Sequence, residues 1–233
     1  LKELIQVEIT KPNDLLGVSY IKEIIKNNYQ IKPFTIKRTN DYHDIENNSD
    51  IVSASNIRER LIKKEDISSK VPQDVYEILK NKKTENKYFE YLKYKIISEQ
   101  DLNKYLDVDE GLHTRIKDQI QKSNNLEELI QNIKTKRYTY NKISRMLNHI
   151  LCSLTKEENK INDLEYIRIL GFDSKGKEYL SKIKKDINTP ILNKYDTKKY
   201  KTLEIEKRVT YIYSLIYEDI TTQEIQNKPI QIN

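Results

Sequence analysis

Apolar and polar positions along the chain step in two registers. Ile5, Val7 and Ile9 alternate with polar neighbours, the period of a strand over residues 4–9. After Pro12-Asn13-Asp14, Val18, Ile21 and Ile25 fall at i, i+3 and i+7, which predicts an amphipathic helix over about 14–27. Pro33 precedes a β-rich run, Phe34-Thr35-Ile36, read as a strand over 34–37. A polar loop then leads through Ser53-Ala54-Ser55-Asn56 into Ile57-Arg58-Glu59-Arg60-Leu61. This predicts a helix over about 56–63, with Asn56 and Glu59 spaced as a capping box. Pro72 sits where a first turn would begin, and Val75, Ile78 and Leu79 give the next helix a short apolar face.

The polar stretch at 81–86 marks a boundary, and the pattern beyond it is helical. Tyr88, Phe89, Leu92 and Ile96 share one face; Leu112, Ile116 and Ile120 share another. Asn125 and Glu128 have capping-box spacing ahead of Leu126, Leu129, Ile130 and Ile133. Thr139 caps a helix striped by Ile143, Met146, Leu147, Ile150, Leu151 and Leu154. The stripes of these last two helices are expected to face each other or a common core. After Lys156 the pattern changes to β character over 166–172, a Lys-rich helix over 174–185 and a short strand over 190–192. A last helix follows, carried by Ile205, Val209, Ile212 and Ile216; beyond Tyr217 the pattern is weak, and no repeat is visible.

Composition narrows the function classes. Of 233 residues, 36% are hydrophobic and 33% charged, with a net charge of +6. That excess leans towards a polyanionic partner. Cys152 is the one cysteine and lies on an apolar stripe, so it reads as a buried thiol, with no disulfide inside the chain. No Cys/His spacing suits a metal. With only 4 Gly, Walker and dinucleotide-type glycine loops are excluded. No apolar run reaches the roughly 18 residues of a membrane span, and no signal-peptide pattern opens the chain, so a cytoplasmic protein without a membrane partner is expected.

Two stretches carry candidate chemistry. A helix start at residues 53–56 offers free N–H groups and partial positive charge to a phosphate; Arg58 one turn in and Arg38 at a strand end would add bidentate donors. The same residues serve equally as a plain helix cap. Downstream, Lys134, Lys136 and Arg137 cluster with Tyr138 and Tyr140 between two amphipathic helices, Arg145 extends that face, and Arg115 and Lys117 border it. Cations neutralise phosphates and aromatic faces stack on unpaired bases. A solvated helix–helix turn is the bland alternative. A DNA-reading helix-turn-helix is another, but Lys142, Ser144 and Asn148 make an undistinctive reading face, and DNA is not the expected partner.

Ser53-Ala54-Ser55-Asn56-Ile57-Arg58 resembles the second signature of the nucleotidylyltransferase superfamily, which faces the triphosphate. Lys11-Pro12-Asn13-Asp14 with Leu16-Gly17, Ile36-Lys37-Arg38 and Tyr42-His43-Asp44 resemble the bacterial tRNA(Met) cytidine acetate ligase family. So do residues 134–140, Arg168-Ile169-Leu170-Gly171-Phe172 and Pro190-Ile191, in the same order along nearly the whole chain. The resemblance implies an α/β fold: the C-terminal part of a Rossmann-like nucleotidylyltransferase domain (1–82, ATP-binding), then a mainly helical domain with a small α/β element (83–233, tRNA-binding). It implies an ATP-dependent ligase that makes N4-acetylcytidine at the wobble position of elongator tRNA(Met) by way of acetyl-adenylate. Its substrates are ATP with Mg²⁺ as counter-ion, acetate and tRNA. The implied ATP-binding residues are Asn13, Arg38, Ser53, Ser55 and Arg58. The implied tRNA-binding residues are Lys134, Lys136, Arg137, Tyr138 and Arg145, and no metal ligands are assigned. One departure stands out. The family's His-x-Gly-His loop has no counterpart here, since His43, His113 and His149 are isolated and the chain opens at Leu1. A piece lacking the family's N-terminal portion, inactive alone and with its catalytic residues elsewhere, is therefore expected. Two other readings remain open: a non-catalytic RNA-binding module, and a nucleotidylyltransferase acting on a small-molecule phosphate.

Overall fold

The computed structural model describes residues 9, 12–36, 51–80, 87–109, 111–161, 163–192, 195, 199–217, 220–226 and 228–232. The chain divides into two compact units, Leu1–Lys83 and Thr84–Asn233.

In the first unit the described elements are helices. Pro12 is the first residue of α1 (Pro12–Lys26), where its fixed φ and missing N–H cost nothing. Asp14 near the start and Lys26 at the end complement the helix dipole. Asn28, in the left-handed region at φ 53°, turns the chain out of the helix. The strand expected at 34–37 is not formed by its described residues: Phe34 is 88% and Ile36 85% exposed, and neither is in a ladder. The strand expected at 4–9 lies, apart from Ile9, outside the described residues. Two further helices follow, α2 (Ala54–Ile62) and α3 (Gln73–Lys80).

The second unit is built on four helices: α4 (Tyr88–Ser98), α5 (Leu112–Ile120), α6 (Leu126–Ile133) and α7 (Tyr140–Leu151). Helix α4 packs on α5 and α7, and α6 packs on α5 and α7, which closes the ring. The stripes read from the sequence supply its core. Leu92 and Ile96 come from α4, Ile116 and Ile120 from α5, and Leu129, Ile130 and Ile133 from α6. Helix α7 adds Ile143, Met146, Leu147 and Ile150, and all of these are buried. At the start of α6, Asn125 Oδ1 accepts the Glu128 N–H at 2.9 Å, while Glu128 reaches back to accept the Asn124 N–H at 2.8 Å, one residue earlier than a regular capping box.

The rest of the unit is a small α/β element. Strand β1 (Ile167–Arg168) pairs in parallel with β3 (Ile191–Leu192), and β2 (Gly171–Phe172) pairs in parallel with β4 (Ile230–Gln231). Between them run α8 (Ser174–Ile183), capped by Asp173, and α9 (Lys201–Ser214). Gly171 lets β4 approach closely, since a Cβ there would meet the Ile230 carbonyl oxygen at 3.1 Å, a tight contact. Ile212 in α9 and Ile216 just beyond it pack against the helical core. Cys152 is buried at the end of α7, and burial pushes its thiol up to about 11, as expected of an inert structural cysteine.

One ionic feature of this unit sets a pH test. Glu99 accepts the Tyr105 hydroxyl at 2.5 Å and lies 2.9 Å from the Lys104 ammonium. Those two groups, the hydroxyl first, hold its carboxyl at about 2. A depressed carboxylate stabilises the fold above its unfolded value, near 4.3, and loses that contribution as pH falls towards 2. We therefore expect Glu99→Gln to flatten the acid limb: urea midpoints at pH 5 and pH 2.5 should differ less in the variant than in the parent chain. Parallel acid limbs would remove Glu99 from the account.

Candidate functional site

In the first unit, the helix start at residues 53–56 forms, one turn earlier than its spacing suggests. Ser53, not Asn56, is the N-cap of α2: its backbone is extended, and its buried Oγ accepts the Asn56 N–H at 3.2 Å. The proposed Asn56–Glu59 box is therefore corrected. Asn56 is fully buried inside the first turn, and its Oδ1 accepts the Arg60 Nε–H at 2.7 Å. Arg60 continues to Glu65 at 3.2 Å. Ser55 is half-buried in the same turn, and Arg58 is exposed one position further along the helix than Ile57. The opening of α2 thus presents a hydroxyl-lined N-terminus with an exposed guanidinium beside it. Asn13 stands exposed in the first turn of α1. Arg38 lies outside the described residues.

In the second unit, residues 135–138 close a tight turn between α6 and α7. The Thr135 N–H donates to the Tyr138 carbonyl at 3.1 Å, and the Tyr138 N–H donates to Thr135 Oγ1 at 3.1 Å. Lys136 and Arg137 are exposed at the tip and Lys134 at the base. Arg115 fixes the approach: its guanidinium donates twice to the Asn132 carbonyl, at 3.1 and 2.7 Å. It is thus a structural brace, not a bordering free cation. Lys117 likewise donates to the Gln100 carbonyl at 2.7 Å.

The two tyrosines have different places. Tyr140 is partly exposed and donates its hydroxyl to Glu127 at 2.7 Å. Tyr138 is only 8% exposed and belongs to the helical core. The Arg137 guanidinium sits 5.4 Å and the Lys142 ammonium 4.9 Å from its ring centre. Of the two rings, Tyr140 is thus the more accessible to a base and Tyr138 the more covered. Arg145 is exposed but engaged, with Nε 3.2 Å from Asp107 Oδ2; His149 Nδ1 lies 3.3 Å from the same oxygen. Asp107 is held at φ 63°, a left-handed conformation that aspartate tolerates better than most residues. Sequence reasoning missed Asp107 and Asp109, because their partners lie more than thirty positions away along the chain.

Comparison with known proteins places this geometry in a family. A family model described as HIGH Nucleotidyl Transferase matches residues 1–228. A Bacillus thuringiensis protein named tRNA(Met) cytidine acetate ligase is 36% identical over 237 residues, which is 93% of this chain and 60% of that protein. A Bacillus cereus protein of the same name is 36% identical over 249 residues, 97% of this chain and 63% of that one. The chain therefore spans about three-fifths of the length of these relatives. Crystal structures of Thermotoga maritima TmcAL share the fold, each covering 95% of this chain and 60% of theirs at 24% identity. The apo form superposes with a TM-score of 0.78, and the form bound to alpha-thio ATP with 0.74. With a family match that runs over residues 1–228, this chain belongs to the HIGH nucleotidyl transferase family.

Proposed function

We propose that the chain is the ATP- and tRNA-handling part of a tRNA(Met) cytidine acetate ligase that works in the cytoplasm. The observation that carries this reading is the 36% identity to proteins of that name, sustained over 93–97% of the chain. In the reaction proposed, an acetate oxygen attacks the α-phosphorus of ATP, which enters with Mg²⁺ as counter-ion, and pyrophosphate leaves. The N4 amine of the wobble cytidine then attacks the acetyl carbonyl, AMP departs, and the amine loses a proton. Both steps rest on positioning and on positive charge near phosphates. In residues 1–82 the α2 N-terminus with Ser53 and Ser55, together with Arg58, Asn13 and Arg38, takes the triphosphate. In residues 83–233 the turn carrying Lys134, Lys136 and Arg137, with Arg145, takes tRNA phosphates, and Tyr138 serves by holding its cationic neighbours.

The test is a titration of this chain with a tRNA(Met) transcript at several salt concentrations. Replacing Lys136 and Arg137 together by Ala should weaken binding about 5- to 25-fold near physiological salt. It should also flatten the dependence of log K on log salt by about one to two units. The unfolding midpoint should scarcely move, since exposed turn charges contribute within about 0.5 kcal/mol. Unchanged affinity and slope would sink the assignment of this turn. Appearance of N4-acetylcytidine that depends on both ATP and acetate, in an assay with the whole gene product, separates a ligase from a non-catalytic RNA-binding module.

A further inference from the structure

Beside the turn, three cations from three separate segments gather about one carboxylate and one ring. Arg137 comes from the turn, Lys142 from the first turns of α7, and Lys156 from the segment after α7. Lys142 Nζ lies 2.8 Å from Asp109 Oδ2 and 4.9 Å from the centre of the Tyr138 ring. Arg137 covers the same ring at 5.4 Å. Lys156 Nζ donates to the carbonyl of Val108, the residue before Asp109, at 2.8 Å. The Asp109 carboxyl is accordingly lowered, first by its hydrogen bond from Lys142 and then, with burial opposing, by the charges of Lys142, Lys156 and Arg137. Of these four charged side chains three are positive.

Each cation has a partner in the fold, yet the cluster as a whole carries more positive than negative charge. One lysine would satisfy Asp109, and like charges brought close repel. What the arrangement does supply is fixed donors. Long cationic side chains lose much rotamer freedom on capturing an anion. Here that loss is already incurred in folding, by the Tyr138 ring and by Asp109 and the Val108 carbonyl. The Tyr138 ring is itself held by the helical core.

We propose that Arg137, Lys142 and Lys156 form a preorganised subsite for an RNA phosphodiester, with Tyr138 as the positioning residue beneath it. This subsite rests on the RNA-binding reading above and extends it from the tip of the turn to the start of α7 and the 107–109 loop. Its new members are Lys142 and Lys156, whose donors Asp109 and Val108 share with an incoming phosphate.

The experiment measures binding of the same tRNA(Met) transcript to the full 233-residue chain. The variants are K142Q/K156Q, the charge-keeping K142R/K156R, and the ring pair Y138F and Y138L. Gln keeps a donor for Asp109 and for the Val108 carbonyl, so folding is expected to hold while the charge is lost. Affinity should fall about fivefold per lost phosphate contact near physiological salt, with the log–log slope lower by about one each. K142R/K156R should bind as the parent does, and so should Y138F, which keeps a π face; Y138L should weaken binding. Should the Gln pair or Y138L lower the unfolding midpoint, K142R/K156R decides, since loss of binding there, with the charges kept, overturns the subsite. Unchanged binding by K142Q/K156Q, while K136A/R137A is weakened, overturns the subsite and leaves the RNA reading standing. No effect from K136A/R137A takes the turn, and with it Arg137, out of the site, and binding lost only in K142Q/K156Q would then leave a site without its turn. Equal affinity for a DNA duplex of similar length overturns RNA as the ligand.

Discussion

Ile96→Ala should cost the Thr84–Asn233 unit about 2–5 kcal/mol, while Ile97→Ala, one position on, should stay within about 0.5 kcal/mol. The two substitutions remove the same atoms from the same helix, so only the environment differs. Ile96 is 0% exposed and lies in the core formed by α4–α7; Ile97 is 54% exposed. At Ile96 the truncation forfeits the transfer free energy of the lost carbons and leaves a cavity that four packed helices cannot close. At Ile97 water already covers much of the side chain, and the better helix propensity of Ala offsets what little packing is lost. Urea midpoints of the two variants, compared at a common slope, check this. Equal costs would mean that α4 does not pack with the register described. Ile143→Ala on α7, fully buried in the same core, should behave as Ile96→Ala does.

That contrast shows what was legible in the sequence. A helix buried along one stripe needs only spacing along a single segment, and Leu92 and Ile96 fall on that stripe whereas Ile97 does not. The helical half of the chain could therefore be read position by position. Short strands carry no such internal period. Ile230–Gln231 becomes β4 only because Gly171–Phe172 lies alongside, nearly sixty residues back, and the weak pattern after Tyr217 gave no sign of it. Phe34-Thr35-Ile36 has strand-forming residues, yet its described positions form none, because propensity without a partner ladder is not a strand. At Ser53-Ala54-Ser55-Asn56 three side chains are able to cap, and local spacing cannot rank them. Burial of Asn56 with its bond from Arg60 leaves Ser53 as the cap. The burial of Tyr138 was hidden for a related reason: cationic neighbours suggest a surface ring, whereas the core beneath draws the ring in and leaves the cations beside it. A nucleotide role for the helix start at Ser53 is suggested only by its resemblance to a signature, since a capped helix start looks the same with or without a phosphate.

Arg208→Ala should cost about 1–3 kcal/mol and loosen α9 from the helical core. The Arg208 guanidinium grips Glu158 with both nitrogens, at 2.8 and 3.0 Å, and its Nε–H donates to the Cys152 carbonyl at 3.1 Å. One side chain of α9 thus joins the end of α7 to the turn at Glu158–Lys160. Bidentate, charge-assisted bonds are the strong kind, but both side chains keep partial contact with water, 35% and 28% exposed, which holds the cost below that of a fully buried pair. Glu158 shows the balance of forces. Burial raises its carboxyl, yet the bonds from Arg208 and Thr155 outweigh that, and the net value lies below the ordinary one. A lowered carboxylate contributes stability above its unfolded value, near 4.3, and loses it as pH falls through the folded one. With Arg208 gone, only the two bonds from Thr155 oppose burial, and the Glu158 carboxyl rises. The stability gap between parent and variant should therefore be full at pH 7 and shrink below about pH 4, down to what the Cys152 carbonyl contributes. Helix α9 retains a second tie in the variant, the Tyr213 hydroxyl donating to Asn148 Oδ1 at 2.9 Å, so its loss of order should be graded. Amide exchange in α9 should quicken several-fold in R208A and further when Tyr213→Phe is added, while α5 and α6 keep their protection. A gap that stays constant from pH 7 to pH 3 would exclude the Glu158 pair as its source, and unchanged exchange in α9 would show that the apolar contacts of Ile212 and Ile216 hold the helix by themselves.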